Sequence, residues 1–169
     1  MEIEQAIKTA IDYETKVRDV YAQAAEQASS KAGKKAFQTL AKEEQYHLNY
    51  LNKRLHEWQE TGALVVEKLA SVVPPKEEID KNISQLQAQV KPEDHEDEIQ
   101  LLKKALEVEE ATSDFYRKMV SELNSDAQAM FHEFLKAEEG HRNIVLAEID
   151  CLSGMGFWFE FQEFDLEGA

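Results

Sequence analysis

Apolar residues recur three and four positions apart along four stretches of the chain, from about residue 2 to 28, 33 to 60, 95 to 123 and 126 to 152. That spacing lines one face of a helix. Ser29, Ser30 and Gly33 separate the first two stretches, and Asn124, Ser125 and Asp126 the last two. Breaks this short predict two antiparallel helical hairpins. Ser125 followed by Gln128 fits a capping box at the start of the fourth helix. All three prolines, Pro74, Pro75 and Pro92, fall between the hairpins. They mark a connector from Gly62 to Pro92 in which Pro75 is expected to start a short helix through Glu78, Ile83 and Leu86. The pattern therefore predicts an all-α chain forming one domain over residues 1–169. Its parts are a four-helix bundle of two hairpins, a crossover at 62–92 long enough to traverse the bundle, and a tail at 153–169.

The two halves repeat. Shifting residues 8–21 by 95 pairs Lys8 with Lys103, Ala10 with Ala105, Glu14 with Glu109, Asp19 with Asp114 and Tyr21 with Tyr116. Shifting residues 37–62 by 94 pairs Phe37 with Phe131, Lys42 with Lys136, Glu44 with Glu138, His47 with His141, Asn49 with Asn143 and Gly62 with Gly156. The difference between the shifts is a single loop residue. Generic helical resemblance supplies matches of Ala, Leu, Lys and Glu, but it does not keep Tyr, His and Gly in register as well. The chain reads as an internal duplication, whose product is a bundle with a pseudo-two-fold axis through its middle.

Charges inside the apolar stripes are few and are placed alike. The stripe of the first helix, Ile3 to Ala28, is broken only by Glu14, and that of the second, Phe37 to Trp58, by Glu44 and His47. The third, Leu102 to Leu123, carries Glu109, and the fourth, Phe131 to Leu152, carries Glu138 and His141. A single carboxylate in an apolar core must be neutralised, paired or bound to a cation. Taken singly, each reads most simply as snorkelling or bonded to a neighbour; four at matching depth do not. Glu44 and His47, like Glu138 and His141, stand three residues apart and share one helix face. Four facing negative charges repel by several kcal/mol even at an effective dielectric of about 20, and two divalent cations would neutralise them. Glu14, Glu44, His47, Glu109, Glu138 and His141 are thus the candidate metal ligands. No catalytic residue beyond them and no organic cofactor site is expected. Mixed carboxylate and imidazole donors suit iron or manganese.

Other polar residues are set aside. Glu43, Glu107, Glu110, Glu133 and Glu139 fall off the stripes and are expected to be surface charges. Glu110 rivals Glu109 by adjacency but continues into the polar row of Ser113 and Arg117. Tyr21 and Tyr116 read as core residues, with a hydrogen bond to a ligand as the alternative. His56, His95 and His132 match no motif and are expected to be exposed.

Composition narrows the class. Six glycines and three prolines in 169 residues fall well below the average combined usage of about 12%, which speaks against sandwiches, barrels and repeated hairpins. With 34 Asp and Glu against 19 Lys and Arg, the formal charge is -15, and such a surface repels nucleic acid. Apolar runs fall short of the roughly 20 residues that span a bilayer. The start, MEIEQAIKTA, lacks the order of a signal peptide, so a cytoplasmic protein with no membrane partner is expected. The single cysteine, Cys151, allows neither an internal disulfide nor a cysteine-rich metal knuckle. The ending GMGFWFEFQEFDLEGA concentrates Phe157, Trp158, Phe159, Phe161 and Phe164. Such a segment needs cover. It reads as a tail over the end of its own bundle, with a contact across a homodimer as the functional alternative.

Glu14 to Tyr21 with Glu44-x-x-His47, and Glu109 to Tyr116 with Glu138-x-x-His141, resemble the rubrerythrin branch of the ferritin-like superfamily over most of residues 2–152. The resemblance implies a ferritin-like bundle and a di-iron site. In it Glu14 and Glu109 are terminal ligands, Glu44 and Glu138 bridge the metals, and His47 and His141 each complete one iron; manganese or a mixed pair fits the same set. Rubrerythrins proper also carry a rubredoxin-like domain with four cysteines, which this chain cannot build. They typically have a further glutamate three residues after the third-helix ligand, where this chain has Thr112. The set is therefore similar to the four-Glu, two-His site of bacterioferritin. The implied function is oxidation of bound Fe(II) by hydrogen peroxide or oxygen, in peroxide scavenging or oxidative-stress defence. That would make the protein an oxidoreductase of peroxidase or ferroxidase type dependent on an external electron donor. Iron handling, with ferrous iron oxidised and stored or passed on, is the alternative. A helical interaction protein with a vestigial site is the third reading.

Overall fold

The computed structural model describes residues 1–85 and 95–161. Leu86, Pro92 and Phe164, and with them parts of the expected connector and tail, lie outside the described residues. Five helices are described: α1 (Ile3–Gln27), α2 (Lys31–Thr61), α3 (Lys76–Gln85), α4 (Glu96–Glu122) and α5 (Ser125–Gly154). They form an all-α, ferritin-like bundle. α1 packs along α2 and α4 along α5, the two hairpins meet through α1 and α4, and α3 lies against α5. None of the described helices is long and apolar enough to cross a membrane.

Local chemistry sets the turns. Ser30 caps α2 by accepting the Gly33 N–H at 2.9 Å, a bond worth about 1 kcal/mol. The capping box expected at Ser125 is not formed. Asn124 occupies the cap position without a side-chain bond, and Ser125 adopts φ 54°. The turn is so tight that Gln128 Nε2 reaches back to the Val120 carbonyl at 2.8 Å, satisfying an acceptor of α4 instead of a donor of α5. Pro75 precedes α3, its carbonyl accepting the N–H groups of Glu78 and Ile79 at 3.0 Å each. Ile79 then anchors α3 in the core.

The duplication extends past the helices. Gly62 and Gly156 both take left-handed φ values, 68° and 76°, which end the helices and send the chain back along the bundle. Eleven residues after the buried Arg54, the Val65 carbonyl accepts from Arg54 Nη1 at 2.7 Å. At the same interval after the buried Glu148, Phe159 N–H donates to Glu148 Oε1 at 2.6 Å. Arg54 and Glu148 correspond at the shift of 94. A cation grips a carbonyl in one copy and a carboxyl grips an amide in the other, so the start of the tail is the second copy of the start of the crossover.

Two apolar clusters fill the bundle. One holds Phe37, Leu40, Val17, Ala105, Ile144 and the tail's Trp158, Phe159 and Phe161. The other holds Ile7, Ala10, Leu51, Tyr116, Phe131 and Phe134. Trp158 packs edge-on against Phe37, with ring centroids 5.6 Å apart. Folding back of the tail also overturns the expectation that His95 is exposed. Its ring lies half-buried, Nδ1 3.1 Å from Glu98 Oε1 and Nε2 2.9 Å from the Gly156 carbonyl. Glu98, itself buried, also accepts from Ser30 Oγ at 2.7 Å. Trp158→Ala is expected to destabilise the protein by about 3–5 kcal/mol, and Phe157→Ala, at a half-buried position, by less. Urea unfolding measures both, and equal, negligible changes would show that the tail adds nothing to the bundle.

Candidate metal centre

Between the two apolar clusters lies a polar layer. On α1, Glu14 stands between Ala10 and Val17; on α2, Glu44 and His47 stand between Leu40 and Leu51. α4 contributes Glu109 after Ala105, and α5 contributes Glu138 and His141 between Phe134 and Ile144. All six are fully buried, at 0% exposure. They divide into two groups whose ligand atoms lie within 4.8 Å of one another: Glu14, Glu44, His47 and Glu138, and Glu44, Glu109, Glu138 and His141. Glu44 and Glu138 belong to both groups. Each group is completed by one lone glutamate and one histidine.

The imidazoles of His47 and His141 stack nearly parallel, 5.5 Å apart at 11°, and bring α2 and α5 together at the layer. Both turn Nδ1 toward the carboxylates. His47 Nδ1 lies 3.1 Å from Glu44, 3.2 Å from Glu138 and 3.4 Å from Glu14. His141 Nδ1 lies 2.5 Å from Glu44 and 3.5 Å from Glu109. Even so, Glu109 Oε2 and Glu138 Oε2 accept no hydrogen bond, and the contacts of His141 Nδ1 with Glu44 Oε1 and of His47 Nδ1 with Glu138 Oε1 lack hydrogen-bond geometry. Leaving such atoms buried and unsatisfied costs about 1–3 kcal/mol each, and a cluster of them calls for an ion. Four carboxylates and two imidazole nitrogens aimed at one another match the charge and donor types of two divalent cations.

Residues around the six hold them in place. Tyr21, on the same helix as Glu14, donates its hydroxyl across the bundle to Glu109 Oε1. Tyr116, on the helix of Glu109, donates to Glu14 Oε1 at 2.5 Å. Each half thus steadies the lone glutamate of the other. Phe134 packs edge-on against the His47 ring at 5.4 Å. Glu43, expected on the surface, is buried instead: it meets His141 Nε2, Ser71 Oγ and the Val72 N–H. The crossover lies over this part of α2, and periodicity within one helix cannot show that cover. Glu107, Glu110 and Glu139 are exposed and Glu133 is half-buried; His56 and His132 are exposed. Arg54, Glu98 and Glu148 were not singled out by the stripes, although the Arg-to-Glu mismatch at the shift of 94 was a visible signal.

Without metal the layer must hold protons. Burial raises Glu44 to about 8, and burial with the neighbouring Glu14 and Glu44 raises Glu138 well above the usual carboxyl range. Burial alone would lower His47 and His141, but the surrounding carboxylates outweigh it and raise both. For Glu14 burial is overcome by His47, which brings it down to about 2. Outside the layer, burial raises Glu148 to about 8. A carboxyl at about 8 in the fold keeps a proton that the unfolded chain, at 4.5, has released. The folded state then binds more protons between those values, and stability falls as pH rises through that window. The raised histidines act in the same direction above their ordinary 6.5. Glu14 acts oppositely, but its contribution is complete above about 4.5. Metal-free protein should therefore melt at a lower temperature at pH 8.5 than at pH 6. Saturating Mn(II) should abolish or reverse the order, because bound cations displace those protons. Thermal melts at both pH values check this.

A family model described as Rubrerythrin matches residues 5–149. No curated protein and no solved structure matches the chain.

Proposed function

The chain belongs to the rubrerythrin family, and we propose that Glu14, Glu44, His47, Glu109, Glu138 and His141 hold two metal ions, iron in the working protein, for oxidation by hydrogen peroxide or oxygen. The observation that carries this reading is the sharing of Glu44 and Glu138 between two otherwise separate groups of donors. Glu44 and Glu138 would serve both ions, while Glu14 with His47 and Glu109 with His141 would each complete one position. Two ferrous ions held there would supply the two electrons that reduce hydrogen peroxide to water.

The protein's own residues prepare the site. Burial, together with the adjacent carboxylates, raises the phenols of Tyr21 and Tyr116 well above their usual 10, so they stay protonated and act as donors to Glu109 and Glu14, not as ligands. Apolar clusters above and below the layer keep bulk water away and sharpen every electrostatic interaction within it. The net charge of -15 draws cations to the surface. Iron held there would be re-reduced by a separate electron donor, since the single cysteine of these 169 residues, Cys151, cannot build an iron-sulfur relay.

Protein loaded anaerobically with Fe(II) is expected to bind two ions per chain and to oxidise them rapidly on addition of peroxide. The double variant Glu44→Ala, Glu138→Ala should lose both properties, and unchanged iron uptake in it would refute the assignment. With a reductant present, a peroxidase consumes many equivalents of peroxide. Oxidation that stops once the bound iron is spent would identify iron handling instead. Stopped-flow absorbance and a steady-state peroxide assay distinguish these outcomes.

A further inference from the structure

The two metal positions are built from corresponding residues of the duplicated hairpins, yet they are not equally supported. His141 turns Nδ1 toward Glu44 and Glu109 and sets Nε2 on Glu43 Oε2. Glu43 is itself fixed: Ser71 Oγ lies 2.9 and 3.0 Å from its two oxygens, and the Val72 N–H donates to it at 2.6 Å. His47 presents Nδ1 to Glu14, Glu44 and Glu138 in the same manner, but its Nε2 is buried without a partner. At the shift of 94, the residue corresponding to Glu43 is Ala137, whose methyl accepts no hydrogen bond.

This difference bears on how each imidazole can serve a cation. A ligating histidine offers one bare nitrogen to the metal, so the other must carry the proton. Where a carboxylate accepts that proton, the tautomer and ring plane are set and the ligating nitrogen becomes more basic. Glu43 does this for His141. His47 can present a bare Nδ1 only by burying an Nε2–H with no acceptor, a state that burial opposes. Its other tautomer places the proton on Nδ1, among the carboxylates, where it blocks ligation.

Resting on the two-metal reading above, we infer that Glu43 is a positioning residue that makes the two metal positions unequal: the one completed by Glu109 and His141 binds its divalent ion more tightly and fills first, and the one completed by Glu14 and His47 is the exchangeable position. The crossover is part of the device, since Ser71 and Val72 hold the Glu43 carboxylate against His141.

Glu43→Ala makes the first hairpin match the second at this point, and Glu43→Gln keeps the shape while removing the charge. Calorimetric titration of Mn(II) into metal-free wild-type protein is expected to show two steps. The tighter step should weaken by about 10–100-fold in Glu43→Ala and by less in Glu43→Gln, with the weaker step little changed. In crystals given one equivalent of Mn(II), anomalous density should lie at the Glu109 and His141 position in the wild type and spread to the Glu14 and His47 position in the variants. If Glu43→Ala does not fold, the same redistribution in Glu43→Gln decides the matter. Wild-type protein that binds two ions without positional preference, or variants that keep the wild-type order, would overturn the inference and leave the two-metal reading intact. Wild-type protein that takes up no metal would overturn both.

Discussion

Four carboxylates at the middle of an apolar bundle are the constraint around which the rest of this molecule is arranged. Removed from water and facing one another, they repel unless protons or cations neutralise them. The four helices that carry them are long enough to place an apolar cluster on either side of the layer. Those clusters supply the hydrophobic stabilisation that offsets the desolvation of the charges. Tyr21 and Tyr116 cross from one half to the other to steady the lone glutamates, so the two hairpins are joined by the same polar groups that make their association costly. A bundle of this kind is most stable when its centre is neutralised by positive charge, and metal bound there would be linked to folding.

The duplicated plan accounts for much of the fold, and its departures account for the features that distinguish the two halves. Gly62 and Gly156 turn the chain back in the same way, and Arg54 and Glu148 each secure the returning segment by a bond to its backbone. The charge is opposite, yet the geometry is the same, because a peptide group offers both a donor and an acceptor. After the first hairpin the returning segment runs on to Ser71 and Val72 and covers Glu43. After the second it places Trp158, Phe159 and Phe161 in the core. One repeat thus supports a histidine of the centre, and the other closes an end of the bundle.

Much of this was legible from residue order. Single-helix periodicity located Glu14, Glu44, His47, Glu109, Glu138 and His141, because a charge in an apolar stripe is conspicuous at helical spacing. The expectation failed where burial comes from another part of the chain. Glu43 and His95 sit off the stripes of their own helices and are covered by the crossover and the tail, segments with no periodicity to announce where they lie. The capping box failed for a related reason: Gln128 donates its Nε2 to the Val120 carbonyl of the preceding helix instead of accepting an N–H of its own first turn, a competition that a local motif does not contain.

By itself, then, the amino-acid sequence determined the helices, their pairing into two repeated hairpins, and the presence of four acids and two imidazoles at one depth, since each follows from spacing along a chain of known helical pitch. Tertiary structure alone decided that Glu44 and Glu138 belong to both donor groups, that the tyrosines cross between halves, and that Glu43 rests on His141 while His47 has no counterpart. Those relations depend on the rotation and separation of helices, and on where irregular segments come to rest, which are set by packing among distant residues and not by the order of neighbours.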